Sequence, residues 1–156
     1  MEDLPGFITL IIISFFTFLL SLKNSSIRKI LFIALTIRIF FLLYGNYFII
    51  LPDSTADAVT FENMAWSMSQ QGIYSLILNF SGPSNQFISW LIAIPYSLFG
   101  RSIIMAQSIS LFFGICNVYL GWTIAKKIWN EQAAIKVAWV LALFPSLILY
   151  SVIIMK

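Results

Sequence analysis

The chain is expected to be an all-α, polytopic transmembrane helical bundle carrying an extracytoplasmic interfacial amphipathic helix. Three observations predict this. Of its 156 residues 60% are hydrophobic and only 10% charged, with a mean hydropathy of +0.94, whereas charged residues make up about a quarter of soluble domains. Long apolar runs recur along the sequence, and the basic residues cluster at their ends, a topological signature rather than a nucleic-acid patch. The longest polar interruption is acidic: Asp53, Asp57 and Glu62 stand in a stretch with no Lys or Arg between Arg38 and Arg101. Basic residues are retained on the cytoplasmic side, so that loop is expected outside.

Residues 4–22 are long enough for a first span, at about 20 residues per crossing. Lys23, Arg28 and Lys29 follow, which makes residues 23–29 a cytoplasmic linker and puts the acidic N-terminus outside. The start lacks the basic region and the small-residue site of a cleaved signal peptide. Residues 30–51 form a second span ending at Pro52. Loop 52–85 is then extracytoplasmic, and within it residues 55–71 read as a short amphipathic helix lying in the interface. Phe61, Met64, Ala65 and Met68 form its apolar face, Thr60, Glu62, Asn63, Ser67, Gln70 and Gln71 its polar one, and Gly72 ends it. Residues 79–85 are a turn-rich linker.

Residues 86–99 are apolar but short, between Pro83 and Gly100, with Pro95 inside. If they cross, Arg101 is cytoplasmic and Lys126 and Lys127 lie outside, against the charge rule. If they do not, the lysines are inside and Arg101 is outside. Residues 102–125 form a clear span. Lys126, Lys127, Asn130 and Glu131 make a polar break, and residues 132–154 form a last span that Pro145 can kink. The count is four or five spans. The run through Ile153 and Ile154 to Lys156 has no cap or polar tail, and a fragment of a longer protein is expected.

There is no histidine, and Cys116 is the only cysteine. That removes histidine-based catalysis, zinc ligation by histidine and an intrachain disulfide. Carboxylates remain. Asp53 and Asp57, four apart, share a helix face, and a partly desolvated carboxylate at a membrane surface suits general-base chemistry. The structural alternative is a capping box, with Ser54 as cap and Asp57 at the third helical position, or with Asp53 as the cap itself. Glu62 by itself reads as a solvated residue. Arg38 lies inside the second span, where it either contacts an anion in a cavity or snorkels to the headgroups. Gln107, Ser110, Gly114, Asn117 and Gly121 recur at steps of three and four, by default a helix-packing seam and otherwise a pore lining. No phosphate-binding glycine loop, metal-ligand spacing or nucleophile elbow is present.

The order of these features resembles the N-terminal part of the GT-C membrane glycosyltransferases, which include protein O-mannosyltransferases and lipid A aminoarabinose transferases. A span with an internal Arg38 runs into Asp57-Ala58, Phe61, Ala65 and Gly72. Then come Gln86-Phe87-Ile88-Ser89-Trp90, Tyr96-Ser97-Leu98-Phe99-Gly100, Ala125-Lys126-Lys127-Ile128-Trp129 and Leu143-Phe144-Pro145-Ser146. The match covers residues 30–156 and leaves 1–29 as an extra span with its linker. Position 61 is Phe where Tyr is frequent, and family members are longer, with more spans.

The resemblance implies a multi-pass protein of the bacterial cytoplasmic (inner) membrane, and a crossing by residues 86–99. It implies transfer of a sugar from a polyprenyl-phosphate donor to an extracytoplasmic acceptor. Asp57 then matches the loop carboxylate that serves as general base, with Asp53 a weaker catalytic candidate and Glu62 and Arg38 as substrate contacts. The reading assigns no cofactor and leaves open a divalent cation, which an Asp pair can hold with phosphate oxygens. Partners would be the bilayer, the lipid-linked donor, and the rest of the polypeptide or a partner chain, with no nucleic acid. The alternative is a non-catalytic polytopic protein such as a transporter or flippase subunit, with the 107–121 seam lining a path.

Overall fold

A computed structural model describes residues 3–52, 54–80, 82 and 86–154, and the backbone alone of Ala56. Among these the chain is helical throughout, with no strand. Its helices are α1 (Leu4–Lys23), α2 (Ser25–Tyr47), α3 (Ala56–Ser69), α4 (Ile73–Leu78), α5 (Phe87–Phe99), α6 (Ile103–Ile128), α7 (Glu131–Leu143) and α8 (Pro145–Tyr150).

Two of them, α1 and α6, are long and apolar enough to cross a membrane. Only 28% and 39% of their most apolar windows are buried inside the fold. Side chains such as Ile11, Phe15, Leu19, Phe113, Leu120 and Ile124 therefore face outward. An exposed apolar surface of this extent marks a face that meets a membrane or another protein.

The linker expected at 23–29 is helical apart from Asn24. Ile27 and Ile30 are buried, and Lys and Arg are good helix formers, so α2 starts at Ser25 and carries Arg28 and Lys29 in its first turns. Gly72, at φ +80°, ends the α3 region in a conformation that only glycine adopts freely. Helix α4 follows, a short turn that the sequence pattern did not announce. The linker expected at 79–85 falls largely outside the described residues.

The last expected span is broken, not kinked. Asn130 caps α7 by accepting from the Ala133 amide (2.8 Å), and the helix stops at Leu143 before Pro145 starts α8. Pro145 has no N–H to return to the Leu141 carbonyl.

Helices α1, α2, α6 and α7 form the main layer around an apolar core that includes Leu31, Ala34, Leu42, Leu111, Ile115, Val118, Ala134 and Ala138. A second, smaller core joins α3 and α5 to the start of α6 through Ala58, Ala65, Ile92, Tyr96, Met105, Ala106 and Ile154.

Two ends of the bundle are chemically distinct. At one, Asn24 donates to the Tyr119 hydroxyl (3.3 Å) and Lys126 pairs with Glu131, beside Lys23, Arg28, Lys29 and Lys127. At the other, the Tyr47 hydroxyl donates to Asp3 (3.2 Å) and Asn46 bonds Gln107. The chain thus leaves α2 and enters α6 at the same end. Helix α5 lies along α3 and spans about 20 Å at 1.5 Å per residue, short of the roughly 30 Å hydrocarbon core. Residues 86–99 therefore do not traverse the bundle, which corrects the crossing implied by the resemblance.

Candidate functional site

The polar chemistry at the acidic end is built on α3 and the entry to α6. On α3 the buried stripe is Ala58, Glu62, Ala65 and Ser69, the four- and three-residue steps of one helix face. Glu62 was expected on the solvated side, yet it is only 4% exposed. Its burial is possible because its oxygens are paired. Arg101 Nε donates to Oε1 (2.9 Å), and Nη2 donates to Oε2 in a close ion pair. This bidentate fork is the strong form of the guanidinium–carboxylate contact.

The Tyr96 hydroxyl lies 2.9 Å from Glu62 Oε1 and 3.0 Å from the Ser102 carbonyl, two acceptors for its one proton. Burial, then the charge of Glu62 and its hydrogen bond, push the Tyr96 hydroxyl well above its ordinary value, while Arg101 opposes them. Tyr96 is accordingly a neutral donor here. Arg101 also donates to Asn63 Oδ1 (2.8 Å) and lies over the Trp66 ring, 5.9 Å from its centre. Ser102 caps α6, its hydroxyl accepting from the Met105 amide.

Two clefts open on Arg101. One, about 170 Å³, is lined by Ser54, Ala58, Val59, Glu62, Gln107 and Ile154 among others. The other, about 380 Å³, lies between Asp3, Asn46, Tyr47, Ser102, Ile103 and Ile104.

Asp57 is exposed on the first turn of α3. The capping box expected there does not form. Thr55 holds the cap position without a side-chain bond, and the Ser54 hydroxyl donates to the Leu51 carbonyl instead (2.7 Å). Asp57 and Glu62, five residues apart, point about 140° from one another around the helix, so these two carboxylates do not converge. Asp53 lies outside the described residues. Among the described residues no three Asp, Glu or Cys side chains gather to hold a metal ion.

The hydrogen-bond partners of Arg38 within the chain lie on α2, at the end of α7 and just after α8. Arg38 is 1% exposed and fills the break between α7 and α8. Its Nη1 donates to Ala34 O (3.2 Å) and Ala142 O (3.1 Å), Nη2 to Leu141 O (3.2 Å), and Nε to Ser151 Oγ (2.9 Å). The carbonyls released by Pro145 are those it satisfies.

The small-residue stripe on α6 is divided. Gln107 meets Asn46, Gly114 seats Ser151, and Gly121 seats Leu141. Ser110 and Asn117 line a lateral groove of about 500 Å³ with Phe113, Leu147 and Tyr150, and Gly114 and Ser151 also border it.

The sequence reading missed Arg101, Tyr96 and Asn46. Arg101 and Tyr96 reach Glu62 from positions 39 and 34 residues away, beyond any local periodicity. The one available signal was an isolated cation beside an otherwise acidic loop. No protein-family model, curated protein or solved structure matches the chain.

Proposed function

We propose that the chain is the membrane-embedded N-terminal part of a multi-pass glycosyltransferase. It would move a sugar from a polyprenyl-phosphate donor to an acceptor on the outer side of the bacterial cytoplasmic membrane. In this reading α1, α2, α6 and the α7–α8 pair are the spans. The end with Lys23, Arg28, Lys29, Lys126 and Lys127 faces the cytoplasm, in keeping with the retention of basic residues there. Loop 48–102 then returns to its own side of the membrane, with α3 and α5 as a layer over the bundle.

The observation that carries the proposal is the placement of Asp57. It is an exposed carboxylate on a helix that the Glu62–Arg101–Tyr96 cluster fastens to the entry of α6, and its neighbour Ala58 lines the smaller cleft on Arg101. Asp57 takes the proton of an acceptor hydroxyl as that oxygen attacks the anomeric carbon. The glycosidic bond forms as the bond to the lipid phosphate breaks, and the phosphate leaves with the electron pair.

The test is sugar transfer from a radiolabelled polyprenyl-phosphate sugar by membranes containing the full-length protein. Asp57→Asn is expected to lower the rate about 10²–10⁴-fold, the usual contribution of a general base. Full activity in that variant removes the assignment. A transporter or flippase subunit remains the competing reading, favoured by the groove that holds Ser110 and Asn117. Under it, Asn117→Leu and not Asp57→Asn would abolish function.

A further inference from the structure

Asn46 sits at the outer end of α2 with its amide orientation fixed. Nδ2 donates to the Leu42 carbonyl (2.8 Å) and to Gln107 Oε1. A carbonyl can only accept, so the atom facing Leu42 is the nitrogen and the remaining Asn46 atom is the acceptor Oδ1. The same chain of bonds leaves Gln107 Nε2 as a donor. Neither Oδ1 nor Nε2 has a partner among the described residues, and each side chain lines one of the clefts flanking Arg101.

The larger cleft is lined by Asn46 together with the exposed Asp3 and the half-exposed Tyr47. Its floor is tight. A Cβ on Gly6 would lie 2.6 Å from Ile104 Cβ and 2.9 Å from Ser102 Oγ, so α1 approaches α6 closely and gives the cleft a fixed wall.

The charges select the ligand. Arg101 already forks onto Glu62, and Asp3 adds a second carboxylate, so a phosphate would meet more negative than positive charge. An uncharged ring that donates hydroxyls to Asn46 and Asp3 and lays an apolar face on Tyr47 meets no such penalty. A few convergent polar groups on an otherwise apolar wall are the usual make-up of a small-molecule site.

We infer that the cleft bounded by Asp3, Asn46, Tyr47 and Arg101 is a subsite for a neutral sugar ring. It rests on the transferase reading for its part in turnover, and its lining includes neither Arg38 nor Glu62.

The test is saturation-transfer NMR on the full chain in phosphatidylcholine nanodiscs. The probes are methyl β-D-glucopyranoside, its galacto and manno epimers, and dodecyl phosphate. At least one glycoside is expected to receive saturation on its ring protons without displacement by dodecyl phosphate. Tyr47→Ala and Asn46→Leu should each weaken it by about tenfold, the equivalent of one lost contact, while Ser67→Ala leaves it unchanged.

Tyr47 is half exposed, so Tyr47→Ala carries the test even where Asn46→Leu disturbs the fold. No saturation with any glycoside, equal saturation in Tyr47→Ala, or displacement by dodecyl phosphate overturns the subsite. Glycoside binding with full transfer by Asp57→Asn leaves the subsite standing and removes the transferase reading. Silenced transfer with no glycoside bound does the reverse.

Discussion

Glu62 and Arg101, 39 residues apart, form a two-pronged ion pair that ties the α3–α5 layer to the residue just before the α6 cap. The partners are unequal, for the Glu62 side chain is 5% exposed and that of Arg101 41%. Arg101→Gln leaves a buried carboxylate short of donors and is expected to destabilise the fold by about 1–3 kcal/mol. Glu62→Gln leaves a guanidinium that water can reach and should cost less. Thermal unfolding of the two variants in nanodiscs checks this order, and equal losses would argue against it.

Tyr96 gives the same cluster an alkaline limit. Its hydroxyl is held above the ordinary tyrosine value by burial, then by the charge and hydrogen bond of Glu62. The folded state therefore keeps this proton where the unfolded chain has lost it. The associated stability is fully present below about pH 10 and declines as pH rises beyond it. Tyr96→Phe should flatten that decline, and urea unfolding across the alkaline range would read it.

Arg38 and Pro145 are expected to be thermodynamically coupled. Arg38→Leu strips donors from the carbonyls of Leu141 and Ala142, at about 1–3 kcal/mol for each buried group left unpaired. Pro145→Ala restores an amide able to bond the Leu141 carbonyl, so Arg38→Leu should cost less in that background. A double-mutant cycle with a coupling above about 0.5 kcal/mol is the expected result, and strict additivity would speak against the role given to Arg38.

Gly114 is a close-approach position. An added Cβ would come within 2.5 Å of Ser151 Cβ and 3.1 Å of Arg38 Nε. Gly114→Val should destabilise by about 1–3 kcal/mol through overpacking. Asn117→Val, on the open groove in the same helix, should be far milder, and the two melting temperatures settle the contrast.

Orientation is checked by labelling single cysteines in a Cys116→Ala background. A cysteine replacing Ser67 is expected to react with an impermeant maleimide from outside only. One replacing Lys127 should react from inside only. Inside labelling of both would place α3 on the cytoplasmic face and remove the outer-surface chemistry.

What the sequence made legible was whatever depends on neighbours within a turn or two. The long apolar helices around 4–22 and 102–125, the stop at Gly72 and an irregularity at Pro145 come from hydropathy, backbone freedom and a missing N–H. All are local properties. What stayed hidden depends on distant partners. Glu62 looks solvated until Arg101 and Tyr96 are seen to reach it. Whether the short apolar stretch at 86–99 crosses stays open in the sequence. The bond between Asn46 and Gln107, which brings the ends of α2 and α6 together, is the distant contact that bears on it. Asp57 was visible as a carboxylate near a helix start, but that its turn carries no capping box rests on Ser54 choosing Leu51.

The placement of Arg38 also sets an order of assembly. Most of its acceptors, Leu141, Ala142 and Ser151, lie 103–113 residues downstream. During synthesis α2 therefore emerges with a charged side chain that has only Ala34, on its own helix, to satisfy it. A central arginine carries an insertion penalty of roughly 2.5–3.5 kcal/mol. If α2 is a span, as proposed, it stays marginal in the bilayer until α7 and α8 are made and dock, so a helix made early is secured by two made much later.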